Sequence, residues 1–388
     1  MNRGIATLTL DYGRCPPWLF ERMVRLGREM TRVLVEEYGP DEFIKRIADP
    51  VWFQSFGTVL AFDWNASGLT TILTAALKEA MRGQERELGI FICGGKGKTS
   101  RKTPDEITSW GEKLSLPDPH VNNLVYNSKM AAKVDSALVQ DNYQIYHHTF
   151  FFSKEGAWAV VQQGMNTATQ SARRYHWFSE NINDIVCEPH TGIAAQIVQH
   201  SVLNMTARKS DKSREFSVEL VEGGYASLMK DIKIIRKHSS NLSRILAMKA
   251  PEGQLTLLEL ADIEFHSHPV EMEDFSKSKY LEKILSKLTF EKPESYEKLV
   301  ATEGVGPKTI RALALVGEVI YGAEPSYEDP ARYSFAHGGK DATPFPVDRE
   351  TYDMTIKTIK HAVDKTRIGQ SEKKKAIERL EKSEFAAL

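Results

Sequence analysis

Apolar positions in the first half of the chain switch between two periods. Residues 4–10 read as a strand, Pro16 and Pro17 break the chain, and residues 18–37 carry apolar side chains three and four apart, which predicts an amphipathic helix. In "FGTVLAFDWNASGLTTILTAALKEAM" the pattern predicts a short apolar strand ending at Asp63 and a helix starting near Gly68. Residues 89–93 predict a buried strand, followed by the glycine-rich loop "GGKGKTSRK". Residues 146–152 and 157–162 predict adjacent strands, with Lys154-Glu155-Gly156 as the hairpin turn between them. From about residue 276 the period is helical. Leu299 and Val300 end one helix, Ile310, Leu313, Ala314 and Val316 begin another, and Gly304-Val305-Gly306 joins them.

These elements predict an α/β or α+β N-terminal domain over residues 1–220 and a helical, polar connecting region over 221–275. A mainly helical C-terminal domain over 276–388 contains the glycine hairpin. At 388 residues the chain is long enough to bury a sizeable core. With 51 Lys plus Arg against 52 Asp plus Glu, the formal charge is −1, so a nucleic-acid surface has to be a local patch and a uniformly basic wrapper is excluded. Cys15, Cys93 and Cys187 are too few and too scattered for a disulfide framework or a cysteine zinc site, which fits a reducing compartment. Neither a long apolar span nor a secretory leader is read, so the expected location is the cytoplasm or a nucleoid, away from membrane. Nothing in the sequence fixes an oligomeric state.

The stretch "LVATEGVGPKTIRALAL" resembles the helix-hairpin-helix DNA-binding motif. Two glycines allow close approach to the backbone, the second helix turns its amides and its dipole towards an anion, and Lys308 adds a charge. The resemblance implies that Gly304, Gly306 and Lys308 hold a backbone phosphate without reading bases. A nucleotide P-loop is a poor competitor because G-x-x-x-x-G-K-[ST] is absent and a helix pattern precedes the turn. An ordinary glycine-containing helix turn is the plain alternative. The segment is also similar to the hairpin of base-excision glycosylases, which would make Lys308 an amine nucleophile and Asp329 its assisting acid. Asp329 lies farther downstream than that family's spacing favours.

The N-terminal part supplies candidates for chemistry. Lys96 and Lys98, with Arg101 and Lys102, place charge on a loop freed by Gly94, Gly95 and Gly97, suited to phosphate; a solvated lysine loop is the alternative. Arg174 and Trp177 lie in "ARRYHWFSE", where cations alternate with aromatic faces fit for phosphates and bases. Asp63 and Asp141 are candidate ligands for Mg2+ or Mn2+, with His147 or His148 as base or orienting group for a metal-activated water. Asp63 reads equally as a helix cap, and the histidines as packing along a sheet. The second strand of the hairpin, Trp158 to Gln163, lacks the carboxylate of the Glu-x-Lys nuclease signature. Glu188 and His190 read equally as part of the same metal site or as capping and surface groups, and His266 and His268 near Glu264, Glu271, Glu273 and Asp274 have ligand types without a unique geometry, with a solvated linker as the favoured reading.

The ordered set "RGIATLTLDYGRCPPWL", "VLAFDWNASG", "GGKGKTSRKTP", "YHHTFFF", "WAVVQQGMN", "ARRYHWFSE" and "FAHGGKDATPFPVDRETYD" resembles the domain-of-unknown-function family numbered seven hundred and sixty-three over nearly the whole chain. That resemblance implies a link to DNA processing and transfers no catalytic set. The expectation from the residues is a DNA-binding protein acting as a metal-dependent, structure-sensitive endonuclease. The alternatives are a hairpin glycosylase and a noncatalytic DNA-binding scaffold.

Overall fold

The computed structural model describes residues 15–60, 66–199, 201–238, 279–331 and 349–382. The expected strand over residues 4–10, Asp63 and the acidic histidine group at 264–274 lie outside them.

Helices lead into the sheet: α1 (Pro17–Tyr38), α2 (Pro40–Ile47), α3 (Pro50–Val59), α4 (Ala66–Met81) and the single turn α5 (Glu85–Leu88). β1 (Ile90–Lys96) then opens a five-stranded antiparallel sheet. After α6 (Thr103–Leu114), α7 (Asp118–Ala137) and the short β2 (Val139–Gln140), the chain runs as a meander of β3 (Gln144–Ser153), β4 (Trp158–Asn166), β5 (Ser171–Phe178) and β6 (His190–Ala195). Strand order is β1-β3-β4-β5-β6, and β2 pairs separately with β7 (Leu203–Asn204). The β3–β4 turn falls at residues 154–156, where Gly156 has φ +117° and Ser153 Oγ accepts from the amides of Gly156 and Ala157.

The fold has three layers. On one sheet face Phe91, Phe150, Val160 and Trp177 pack against Leu124, Ala131 and Val134 of α7. This core continues into α8 (Asp211–Glu222), α9 (Tyr225–His238), α10 (Lys279–Glu291), α11 (Tyr296–Ala301) and α12 (Pro307–Tyr321). On the other face Ile92, Phe151, Val161 and Phe178 meet α1 to α4, α13 (Arg349–Lys365) and α14 (Gln370–Lys382). Each fully buried aromatic or branched side chain contributes about 2 kcal/mol through removal of apolar surface from water. Because both faces are covered, β5 is buried at every position, and the alternation of a half-solvated strand is absent.

Two expectations are corrected here. The apolar run before Asp63 forms no strand up to Val59: it is α3, with Pro50 in its first turn and the Asp49 side chain accepting from Trp52 N at 2.7 Å. All ten of its residues are buried, so the helix has no polar face to display a period of 3.6. Nor do the described helices of residues 276–388 share one core. α10–α12 complete the core on one side of the sheet, whereas Val363 and Leu380 of α13 and α14 belong to the other. α9 falls within the region read as a connector and buries Leu228, Met229 and Ile232.

Candidate nucleic-acid interface

Ser295 begins α11 by accepting from Lys298 N at 3.2 Å, and Val305 closes the turn between α11 and α12 by entering the core. The two glycines beside Val305 are there for different reasons. Gly304 has φ +93°, and a Cβ there would sit 2.4 Å from Ile284 Cδ1, so conformation and packing both demand glycine. Gly306 is extended, with φ −147° and ψ −172°, and nothing lies within 4 Å of an added Cβ. The fold itself does not require glycine at 306.

The carbonyls of the turn are occupied in series. Lys133 Nζ from α7 donates to Thr302 O at 2.6 Å, Lys287 Nζ from α10 to Glu303 O at 3.2 Å, and Tyr280 Oη from α10 to Gly304 O at 3.2 Å. Gly306 O accepts from Thr309 N and Ile310 N, the start of α12. Among the described residues, the amides of Gly304, Gly306 and Lys308 take no backbone partner, and Lys308 is exposed. The turn therefore has the carbonyls of Thr302, Glu303, Gly304 and Gly306 engaged, and the amides of Gly304, Gly306 and Lys308 with the lysine side chain available to an anion. Burial pulls the pKa of Lys133 below the usual lysine value, Lys287 adds to the pull, and Glu303 opposes it. Lys133, Lys287 and Tyr280 had no signal in the sequence beyond ordinary helix periodicity.

The basic loop leaves the end of β1 from a fixed root. Glu106 accepts from Gly94 N at 2.8 Å and from Lys78 Nζ at 2.6 Å, while Lys78 also donates to Gly94 O. Gly94 has φ +87°, and a Cβ would lie 2.3 Å from His148 O. Beyond that root the chain makes a 3-10 turn, Gly97–Lys102, with Lys96, Lys98, Arg101 and Lys102 exposed. Lys96 Nζ sits 5.8 Å from the Tyr146 ring centroid.

Of the residues read as a catalytic set, Asp63 lies outside the described residues, and Asp141, His147 and His148 do not meet at one point. Asp141 is sealed in the core: Arg173 Nη1 donates to its Oδ2 at 2.9 Å, Tyr175 Oη at 2.6 Å, and Tyr143 N reaches Oδ1 at 3.0 Å. Burial pushes the Asp141 carboxyl up, against the opposing pull of Arg173 and the hydrogen bonds. Arg173 also carries Asp329, the acid read in a rival site. Asp329 is thus engaged with Arg173 and is not a free partner for Lys308, which corrects the glycosylase pairing. His147 and His148 are successive residues of one strand and face opposite layers. His147 Nε2 contacts Thr74 Oγ1 of α4 at 3.1 Å and Thr149 Oγ1 at 2.9 Å, whereas His148 contacts Gln162 Oε1 at 2.8 Å and Ser128 Oγ of α7 at 2.9 Å. Burial holds His147 down to about 3, assisted by repulsion from His148, when that ring is protonated, and from Lys96. Burial also lowers His148, against the pull of Gln162 and Asp135. Among the described residues, no three His, Cys, Asp or Glu side chains are arranged to hold a metal ion.

Arg174 and Trp177 are corrected as a stacking surface, since both are completely buried. Arg174 reaches Gln54 Oε1, Thr70 Oγ1 and Pro50 O, with its guanidinium 4.8 Å from the Phe53 ring centroid. Trp177 donates to Asp135 Oδ2 at 3.0 Å on the opposite sheet face. Asp135 also accepts from Gln162 and pairs with His190 Nε2 at 2.5 Å. This network joins α7 to three strands. Asp135 looks like a solvated helix charge in "AAKVDSAL", although its helical spacing from Ser128, Ala131 and Leu138 places it on the inner stripe. Glu188 is exposed and stands 3.4 Å from Arg208.

No helix among the described residues is long and apolar enough to cross a membrane. No curated protein and no solved structure matches the chain. Residues 4–347 match the model of the family described as "Protein of unknown function (DUF763)", and the chain belongs to that family.

Proposed function

We propose that this protein binds duplex DNA through its sugar-phosphate backbone, with the turn between α11 and α12 as a helix-hairpin-helix phosphate contact. Gly306 carries the reading: it needs no glycine for conformation or packing, yet stands at the start of α12 beside the exposed Lys308. A bare Cα there lets a phosphate approach the amides of Gly306 and Lys308, where the helix dipole and the ammonium add attraction. Such a contact positions the protein on DNA without selecting a sequence. The exposed lysines and arginine at 96–102 supply a second region of phosphate affinity on a chain of net charge −1.

The activity proposed is binding and positioning. Hydrolysis by a metal-activated water needs carboxylates facing one shared space, and Asp141 is committed to Arg173 and Tyr175. The test is titration of folded Gly306→Val against a labelled blunt duplex. Weakened binding supports the turn contact, and wild-type affinity removes it.

A further inference from the structure

α10 lies directly against the turn through the Tyr280 and Lys287 hydrogen bonds to the Gly304 and Glu303 carbonyls. Its inner side buries Leu281, Ile284, Leu285 and Leu288. The outer side is of another kind. Lys279 and Lys283 are exposed, Tyr280 is 62% exposed and Phe290 is 89% exposed. At that exposure Phe290 contributes almost nothing to the core, so folding gives no reason for an aromatic ring there. Lys279, Lys283 and Lys287 recur every four residues, which on a helix places them on one ridge about 6 Å apart. Phe290, three residues beyond Lys287, continues that ridge, and Tyr280 stands at its other end beside the turn. Lys287 also has Glu291 at 3.8 Å, leaving Lys279 and Lys283 as the more available charges.

Lysines tracking a backbone, with aromatic faces beside them, are the chemistry of single-strand binding. A continuous duplex hides its base faces, so exposed rings gain contacts only where the strands part. Resting on the phosphate contact proposed for the turn, we infer that α10 is the single-strand half of a junction-binding surface. The turn takes the duplex backbone, and Tyr280 and Phe290 take unpaired bases of the strand that leaves it. The partner class is therefore DNA with a duplex-to-single-strand boundary.

Fluorescence anisotropy with the full chain tests this on a blunt duplex, the same duplex with a single-stranded tail, and the tail alone. We expect the tailed duplex to bind on the order of tenfold tighter than the blunt one, as one or two stacked bases would give. Phe290→Ala, which removes an exposed ring and spares the core, should abolish most of that preference and leave blunt-duplex affinity unchanged. Lys283→Ala should weaken tailed binding and reduce its salt dependence. Equal binding of blunt and tailed duplexes, or an intact preference in Phe290→Ala, overturns the inference; the turn contact still stands if Gly306→Val weakens both probes. Gly306→Val without effect on either probe overturns the turn contact, and the junction with it, whatever Phe290→Ala does.

Discussion

Asp329 and Arg173 form a two-pronged ion pair, with Oδ1 to Nη1 at 2.9 Å and Oδ2 to Nη2 at 2.7 Å, and neither side chain has meaningful contact with solvent. Arg173 sits on β5, between β4 and β6 in the sheet, and Asp329 follows α12, so the pair ties the helices carrying the turn to the sheet. Gln199 N and Ala331 N also donate to Asp329. Such a pair is not strongly stabilising relative to an apolar substitute, but removing one partner strands the other.

Asp329→Asn should therefore lower stability by about 3–5 kcal/mol, towards the lower end because Asp141 still faces Arg173. Urea denaturation measures this directly. A loss under about 1 kcal/mol would place Asp329 among groups that stability does not need, and would reopen its pairing with Lys308.

His147 should give the protein a specific weakness to acid. Its native imidazole is held down to about 3, from an ordinary value of 6.5. Below about 6.5 the unfolded chain takes a proton that the native state refuses, so stability falls as pH falls from there towards 3. This group alone accounts for roughly 2 kcal/mol lost between about pH 7 and pH 5. His147→Gln should flatten the pH dependence of the unfolding free energy by that amount, whatever it costs at neutral pH. An unchanged slope would show that His147 titrates normally in the native state.

Much of the sheet was legible because its strands begin and end at local punctuation. The 154–156 hairpin and the strand from residue 90 followed from glycines and apolar runs alone. α3 was misread because a helix buried all round shows the same continuous apolar run as a buried strand. The turn at Gly304 and Gly306 was legible because its geometry is local, with Gly304 fixed by its positive φ and by Ile284. Arg174 and Trp177 were not, since cations mixed with aromatics read as a surface, and only the layers on both faces of β5 turn them into interior groups. Asp141 and Asp329 meet at Arg173 from 32 residues before it and 156 residues after it, a convergence that no spacing rule contains.

The two glycines of the turn should separate in stability measurements. Gly304→Ala forces a side chain into a left-handed conformation and against Ile284, and should cost roughly 1–3 kcal/mol. Gly306→Ala meets no neighbour and should stay within about 0.5 kcal/mol of wild type. Thermal or urea unfolding of both variants checks this. Equal losses would mean that Gly306 is also a structural requirement, removing the argument that its bare Cα serves a ligand.

The most direct test is duplex affinity across a salt series for the wild type and Lys308→Ala, with each protein shown to be folded. Displacement of counterions by the protein's cations makes the logarithm of the binding constant fall linearly with the logarithm of salt concentration. If the turn holds a backbone phosphate, Lys308→Ala should weaken binding to unrelated duplex sequences alike and reduce the magnitude of that slope by about one. An unchanged affinity and slope in Lys308→Ala, or a wild type that does not bind duplex DNA at low salt, would contradict the account.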